Sequence, residues 1–151
     1  MKNVFCRFLF IFLLASSSST STEVVFGPDN STVLITGSNR GLGLEFSRQY
    51  AAAGWNVIAT CRSPQTAKEL QVLAGKYRQV VVEKMDVTSD RDVEILATKY
   101  KNQPIDVLLN NAGIYGTLEK QTLGTFDFEE LKRVFDVNTI GSLRVLSLIH
   151  I

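Results

Sequence analysis

The feature that most constrains this chain is a short apolar run that ends in a glycine turn. Residues 32–36 read TVLIT, and Gly37, Gly41 and Gly43 follow at once within LITGSNRGLGLEF (34–46). A β-branched apolar run of this length predicts a buried strand. Leu42 to Ala53 predicts a helix that Gly54 stops. A strand that turns through glycines straight into a helix leaves free backbone N–H groups at the helix start, where a pyrophosphate can rest. Side chains would block that approach, so glycine is needed where the backbone must come close. Gly43 is also expected to let the helix pack near the sheet.

The same alternation continues along the chain. NVIAT (56–60) predicts a second strand. Ser63 is expected to cap a helix with Pro64 at its first position, and Leu70, Leu73 and Ala74 form its apolar face. VVVEKM (80–85) predicts a third strand. Ser89 and Asp92 resemble a capping box, and Val93, Leu96, Ala97 and Tyr100 follow at helical spacing. IDVLLN (105–110) predicts a fourth strand, and Asp127 is expected to cap a helix carrying Leu131, Val134 and Phe135. Strands alternating with helices predict right-handed crossovers and an α/β fold, a parallel sheet with helices on both faces.

Composition narrows the functional classes. A chain of 151 residues with formal charge +1 suits one domain and has no strong electrostatic pull toward nucleic acid. No basic run is interleaved with aromatics. Cys6 and Cys61 make no disulfide framework, and no Cys/His cluster has metal-ligand spacing. Residues 1–22 stand apart. Lys2 and Arg7 are their only charges, FLFIFLLA (8–15) is apolar but too short to span a bilayer, and SSSSTST (16–22) follows. This order resembles a secretory signal peptide, and the acid-free, Ser-rich end also suits an organelle transit sequence. An upstream extension translated in error is the plainer alternative, and it would leave the protein cytoplasmic. Gly27, Pro28, Asp29 and Asn30 break the chain, so 23–31 is expected to be a linker ahead of a domain over 32–145.

The glycine turn carries no Lys-Ser/Thr, which excludes a nucleoside-triphosphate P-loop, and its spacing is not G-x-G-x-x-G. It is T-G-x-x-x-G-x-G, as Thr36, Gly37, Gly41 and Gly43. Together with Asp86 in MDVT, NNAG (110–113), Asn138 in FDVNTIG and ATCRSP closing the second strand, it resembles the short-chain dehydrogenase/reductase family. The resemblance covers Thr32 to about Val145. Within the family the chain looks most like the carbonyl reductases related to sniffer and the bacterial C-signal protein. The implied fold is a Rossmann-type doubly wound parallel sheet, here ending after the fourth strand and the family's fifth helix.

The resemblance also implies a cofactor site. Gly37, Ser38, Asn39, Arg40, Gly41, Leu42 and Gly43 form the phosphate turn, Asp86 and Val87 flank the adenine, and Asn110, Ala112 and Gly113 line the adenosine ribose side. Asp86 as a plain turn or helix cap, and NNAG as a plain turn, are the alternatives. NAD-binding members usually carry an acid after the second strand, which bonds the ribose 2′-OH. This chain has Cys61 and Arg62 there, and Arg40 in the glycine loop. Two guanidiniums suit a 2′-phosphate dianion, so NADP(H) is expected over NAD(H). Two solvated surface arginines are the alternative reading.

In the family a hydride passes between the nicotinamide and a carbonyl carbon, and a tyrosine, assisted by a lysine, handles the proton. A serine orients the carbonyl, and an asparagine in the fifth helix holds a water in the proton relay; Asn138 matches that asparagine. The Ser and the Tyr-x-x-x-Lys are absent here, because none of Tyr50, Tyr77, Tyr100 and Tyr115 has a lysine four residues on. LSLIHI (146–151) is also what the end of a common transposase-based sequencing adapter encodes, and these six residues are expected to be such a tail. His150 then has no function. A sheet ending at its fourth strand has an open edge, so poor expression or partial unfolding is expected. Two readings follow. One is an NADP(H)-dependent oxidoreductase acting on a small carbonyl or alcohol, present as an N-terminal fragment and homo-oligomeric when complete. The other is a non-catalytic NADP-binding short form. A Rossmann-like methyltransferase fits poorly, because NNAG has no role there.

Overall fold

The chain winds four parallel strands into one sheet in the order β3-β2-β1-β4. The computed structural model describes residues 26–149 apart from Pro28, so the leader at 1–22 and His150 lie outside the described residues. The strands are β1 (Thr32–Ile35), β2 (Asn56–Cys61), β3 (Val80–Lys84) and β4 (Val107–Leu109). The helices are α1 (Gly41–Ala52), α2 (Lys68–Lys76), α3 (Asp90–Lys99), α4 (Phe128–Phe135) and α5 (Gly141–Leu148). This is the doubly wound parallel sheet that the alternating pattern predicts.

β1 and β2 are buried along their whole length. Central parallel strands covered on both faces carry continuous apolar runs, which is why TVLI and NVIATC do not alternate with polar residues. Their side chains still divide between the faces with a period of two. Val33, Ile35, Val57 and Ala59 join Leu70 and Leu73 of α2 in one core. Leu34, Ile58 and Val81 join Val93, Leu96 and Val145 of α3 and α5 in the other. Asn56 at the start of β2 is fully buried yet satisfied: its amide accepts from Gly27 N and donates to the carbonyls of Gly27 and Asn30. The stretch expected to be a linker is thereby tied to the sheet.

Three local expectations change. Ser63 does not cap a continuous helix. Pro64–Thr66 form a single 3-10 turn, Ser63 makes no side-chain cap bond, and α2 begins after Ala67. Ala67 leaves helical geometry (φ −82°, ψ 65°) as its methyl packs into the core, and this resets the helix so that Leu70 and Leu73 face the sheet. Ser89 caps α3 by accepting from Asp92 N at 3.2 Å, but the capping box is not closed. The Asp92 carboxylate instead accepts from Asp86 N and pairs with Lys84. Beyond α4, which Asp127 caps through Glu129 N and Glu130 N, the helix widens into a π turn (Asp136–Ile140) before α5. Among the described residues no helix is long and apolar enough to cross a membrane.

Candidate functional site

A cleft of about 830 Å³ opens where β1, β2 and β3 end, bounded by the glycine turn on one side and the segment after β4 on the other. In an open parallel sheet the carboxyl ends of the strands are where ligands bind. Thr36 builds the junction. Its Oγ1 accepts from Asn111 N and Ala112 N, each at 2.9 Å, and donates to Leu109 O. The Asn111 amide answers by donating to the carbonyls of Thr36 and Gly37 at 2.9 and 3.1 Å. The end of β4 is thus stitched to the glycine turn.

The three glycines meet three different demands. Gly37 has φ +67°, and a Cβ there would lie 2.8 Å from Ala112 Cα. Gly41 has φ +56° with open space around it, so only its backbone conformation calls for glycine. A Cβ on Gly43 would lie 2.3 Å from Gly37 O and 2.5 Å from Asn111 Nδ2. Gly43 therefore lets the start of α1 close against the glycine turn and Asn111, while further along the helix Ala51 packs on β1 and β2. The first turn of α1 carries no acid and no side-chain cap, so its leading N–H groups have no competing anion.

Asn39, Arg40 and Leu42 line the cleft with these glycines. Ser38 does not: it is fully buried, its Oγ donates to Ile35 O at 2.8 Å, and its N–H donates to Thr60 O. It holds the turn in place from behind. Arg40 and Arg62 both line the cleft and are exposed. No carboxylate among the described residues forms an ion pair with either. Cys61 is 3% exposed in the same wall, and burial pushes its thiol pKa up. Ser63 and Thr66, which sequence reasoning did not select, add two hydroxyls beside Arg62.

Asp86 and Val87 form the floor. Asp86 Oδ1 accepts from Thr88 N and Thr88 Oγ1, so the turn role weighed in the sequence is filled, while Oδ2 is uncommitted among the described residues. Ala112 and Gly113 line the cleft, but Asn110 does not. The Asn110 side chain is directed to Ser142 O, at 3.5 Å, and Asn111 takes the place by the glycine turn. The signal for this was present: adjacent residues leaving a strand point to opposite sides, so only one of the two asparagines can face the turn.

Asn138, in the π turn, does not line the cleft. Its amide bonds both backbone polar atoms of Ile114, just after NNAG. Each amide end keeps one unused site, an acceptor lone pair on Oδ1 and a proton on Nδ2. Tyr115 stands at the rim, 90% exposed. Tyr100 is far from the cleft, donates to Glu83 at 2.7 Å, and has its phenol pKa pushed up by burial and then by that carboxylate.

The family described as short chain dehydrogenase matches residues 31–150. A very-long-chain 3-oxoacyl-CoA reductase of Coccidioides immitis is 32% identical over 96% of this chain, which spans 42% of that protein. The NADPH-bound carbonyl reductase from chicken fatty liver superposes with a TM-score of 0.72 at 32% identity, covering 80% of this chain and 50% of that one. A carbonyl reductase from Pseudomonas aeruginosa in complex with NADP gives 0.73 at 30% identity, covering 80% and 52%. The chain thus spans about half the length of the relatives it matches.

Proposed function

We propose that this chain, which belongs to the short chain dehydrogenase family of oxidoreductases, binds NADP(H) in the cleft at the strand ends and serves hydride transfer to or from a carbonyl or alcohol. The observation that carries the nucleotide is that Arg40 and Arg62 both line the cleft with no carboxylate partner among the described residues. A 2′-phosphate is a dianion, and planar guanidiniums bind it with charge-assisted bonds.

The residues present fit such a cofactor. The open space at Gly41, which a side chain would enter, and the uncapped start of α1 suit a pyrophosphate, while Gly37 and Gly43 let the turn close against Ala112 and Asn111. Asp86 and Val87 would border the adenine, and Ala112 and Gly113, with Asn111 behind them, the adenosine ribose. Bound there, the nicotinamide supplies or accepts the hydride. The chain's own work in this region is positional: Thr36 and Asn111 fix the glycine turn against NNAG, and Asn138 fixes Ile114. Two named neighbours, bound to NADPH and NADP, support the reading.

A second reading has its own observation. No tyrosine in the sequence has a lysine four residues on, so the family's acid–base pair is not supplied by this chain. The corresponding reading is a non-catalytic form that binds NADP(H). The exposed apolar side chains of Phe128, Phe135 and Leu143 support a homo-oligomer for the complete protein. The basic, apolar and small order of residues 1–22 supports a targeting leader ahead of the domain.

Titration with NADPH and NADH, followed by nicotinamide fluorescence, tests the nucleotide assignment. NADPH is expected to bind more tightly. Replacing Arg62 by Ala should cost NADPH about 10-fold or more, the weight of a hydrogen bond to a charged group, and leave NADH nearly unchanged. Equal losses for both nucleotides would remove the 2′-phosphate role. NADPH oxidation in the presence of a ketone or aldehyde separates the two readings of activity.

A further inference from the structure

Behind the cleft, one side chain ties α5 and the π turn before it to the distant segment Val87–Asp90. Arg144 on α5 is only 17% exposed. Its Nη1 donates to the Val87 carbonyl at 2.7 Å. Its Nε donates to the carboxylate of Asp90, the first residue of α3. Its Nη2 lies 3.6 Å from the carboxylate of Asp136, the first residue of the π turn. The contact with Val87 is reinforced by close packing, because a Cβ on Gly141 would come within 2.8 Å of Val87 Cγ2.

These contacts form one path from end to end of the cleft. Val87 is part of the floor, on the side given to the adenine. The π turn that starts at Asp136 carries Asn138, and Asn138 holds Ile114 on the other side of the cleft. A planar guanidinium with fixed donor directions transmits position between its partners, whereas a point charge on a flexible stem does not. We propose that Arg144 is a positioning residue that couples the adenine floor at Val87 to the π turn carrying Asn138. The proposal rests on the nucleotide reading above and assigns Arg144 no contact with the nucleotide.

Two roles compete with this one. Arg144 could act as a remote positive charge toward an anionic ligand, or merely hold the fold together. The Arg144→Lys variant separates charge from geometry, since lysine keeps the charge and loses the fork. Adenosine 2′,5′-bisphosphate, which reaches only the adenine end, is the probe, with NADPH beside it. Arg144→Met and Arg144→Lys are both expected to weaken the probe by about tenfold, the upper range for residues that act through others. Lys132→Met, on the same long helix but paired only with exposed Glu129, should leave binding unchanged.

Full affinity in Arg144→Lys overturns the proposal in favour of charge alone. Unchanged affinity in Arg144→Met overturns it outright. Should the variants unfold, amide hydrogen exchange on the parent chain decides: saturating probe is expected to slow exchange across residues 137–141 at least fivefold, and no slowing there overturns the coupling. A parent chain that binds neither probe nor NADPH defeats the nucleotide reading itself, which distinguishes that failure from failure of the coupling.

Discussion

Asn138 holds Ile114 as a paired strand would: its Oδ1 accepts from Ile114 N and its Nδ2 donates to Ile114 O, both at 2.9 Å. A side-chain amide here satisfies a stretch of backbone that belongs to neither helix nor sheet. Gly113 lies beside it, and a Cβ there would meet Asn138 Oδ1 only at van der Waals distance, 3.4 Å. Asn138→Ala should destabilise the chain by about 1 kcal/mol, the net worth of partly exposed hydrogen bonds, and accelerate exchange of the Ile114 amide. Asn138→Asp keeps the acceptor but sets a carboxylate oxygen against the Ile114 carbonyl. Its deficit relative to the parent, measured by urea unfolding, should be larger at pH 7 than below its own carboxyl pKa. An Ile114 amide that exchanges equally in all three chains would show that the pair carries no weight.

The glycines separate steric from conformational cost. Gly43→Ala drives a methyl into Gly37 O at 2.3 Å, a backbone atom that cannot rotate away. It should cost roughly 1–3 kcal/mol or more, the overpacking range, and abolish NADPH binding by moving the turn. Gly41→Ala meets nothing within 4 Å but must hold φ +56°. It should cost only about 1–2 kcal/mol and leave binding measurable. Gly75→Ala, in α2 with open space and no positive φ, should stabilise by about 0.4–1 kcal/mol. Thermal unfolding of the three variants gives the ranking, and a Gly41→Ala chain worse than Gly43→Ala would reverse the assignment.

What could be read from the sequence follows from the range of each signal. β1 and β2 were legible because a fully buried parallel strand writes itself as a near-continuous apolar run, as VLI in β1 and VIA in β2. The glycine turn was legible because its spacing is fixed by a backbone shape. Ser63 misled because the break at Ala67 is decided by tertiary packing of one methyl, which no local cap signal encodes. Asp92 likewise looked like half of a capping box until Lys84 and the Asp86 amide, brought near by the fold, claimed its carboxylate. Asn110 and Asn111 are identical in type, so only strand geometry separates the one beside the glycine turn from the one beside Ser142. The π turn at Asp136–Ile140 has no sequence mark, yet it places Asn138 opposite Ile114.

Cys61 offers a probe of the cleft that needs no turnover. Its thiol is buried in the wall beside Arg62, and burial raises its pKa, so little reactive thiolate forms near neutrality. In a Cys6→Ser background, modification by a disulfide reagent at pH 7.5 should be slow in the folded chain and fast in urea. The folded-state rate should rise at higher pH than that of a free cysteine, the direction that an upward shift requires. NADPH should slow it further if the nucleotide covers the wall. Rapid modification of the folded chain at pH 7.5 would contradict the burial.

Asp92 links the cleft floor to acid stability. Its carboxylate pairs with Lys84 at 2.7 Å and accepts from Asp86 N at 3.1 Å, so it braces the residue at the adenine side. The Lys84 ammonium, bonded to the carboxylate, holds the Asp92 pKa below the usual carboxylate range, against an opposing push from burial. A folded-state pKa below the unfolded one means that the unfolded chain binds the proton more readily. The stabilisation is therefore fully present above the ordinary aspartate value of ~3.9 and is lost as pH falls through the lower folded value. Asp92→Asn should be less stable than the parent at pH 6, and the gap should close as pH drops below that of an ordinary aspartate. Lys84→Met should move the parent's acid transition upward, because it removes the largest cause of the shift. Parallel stability curves for parent and Asp92→Asn from pH 6 to the acid limit would show that this carboxylate contributes nothing to the acid transition.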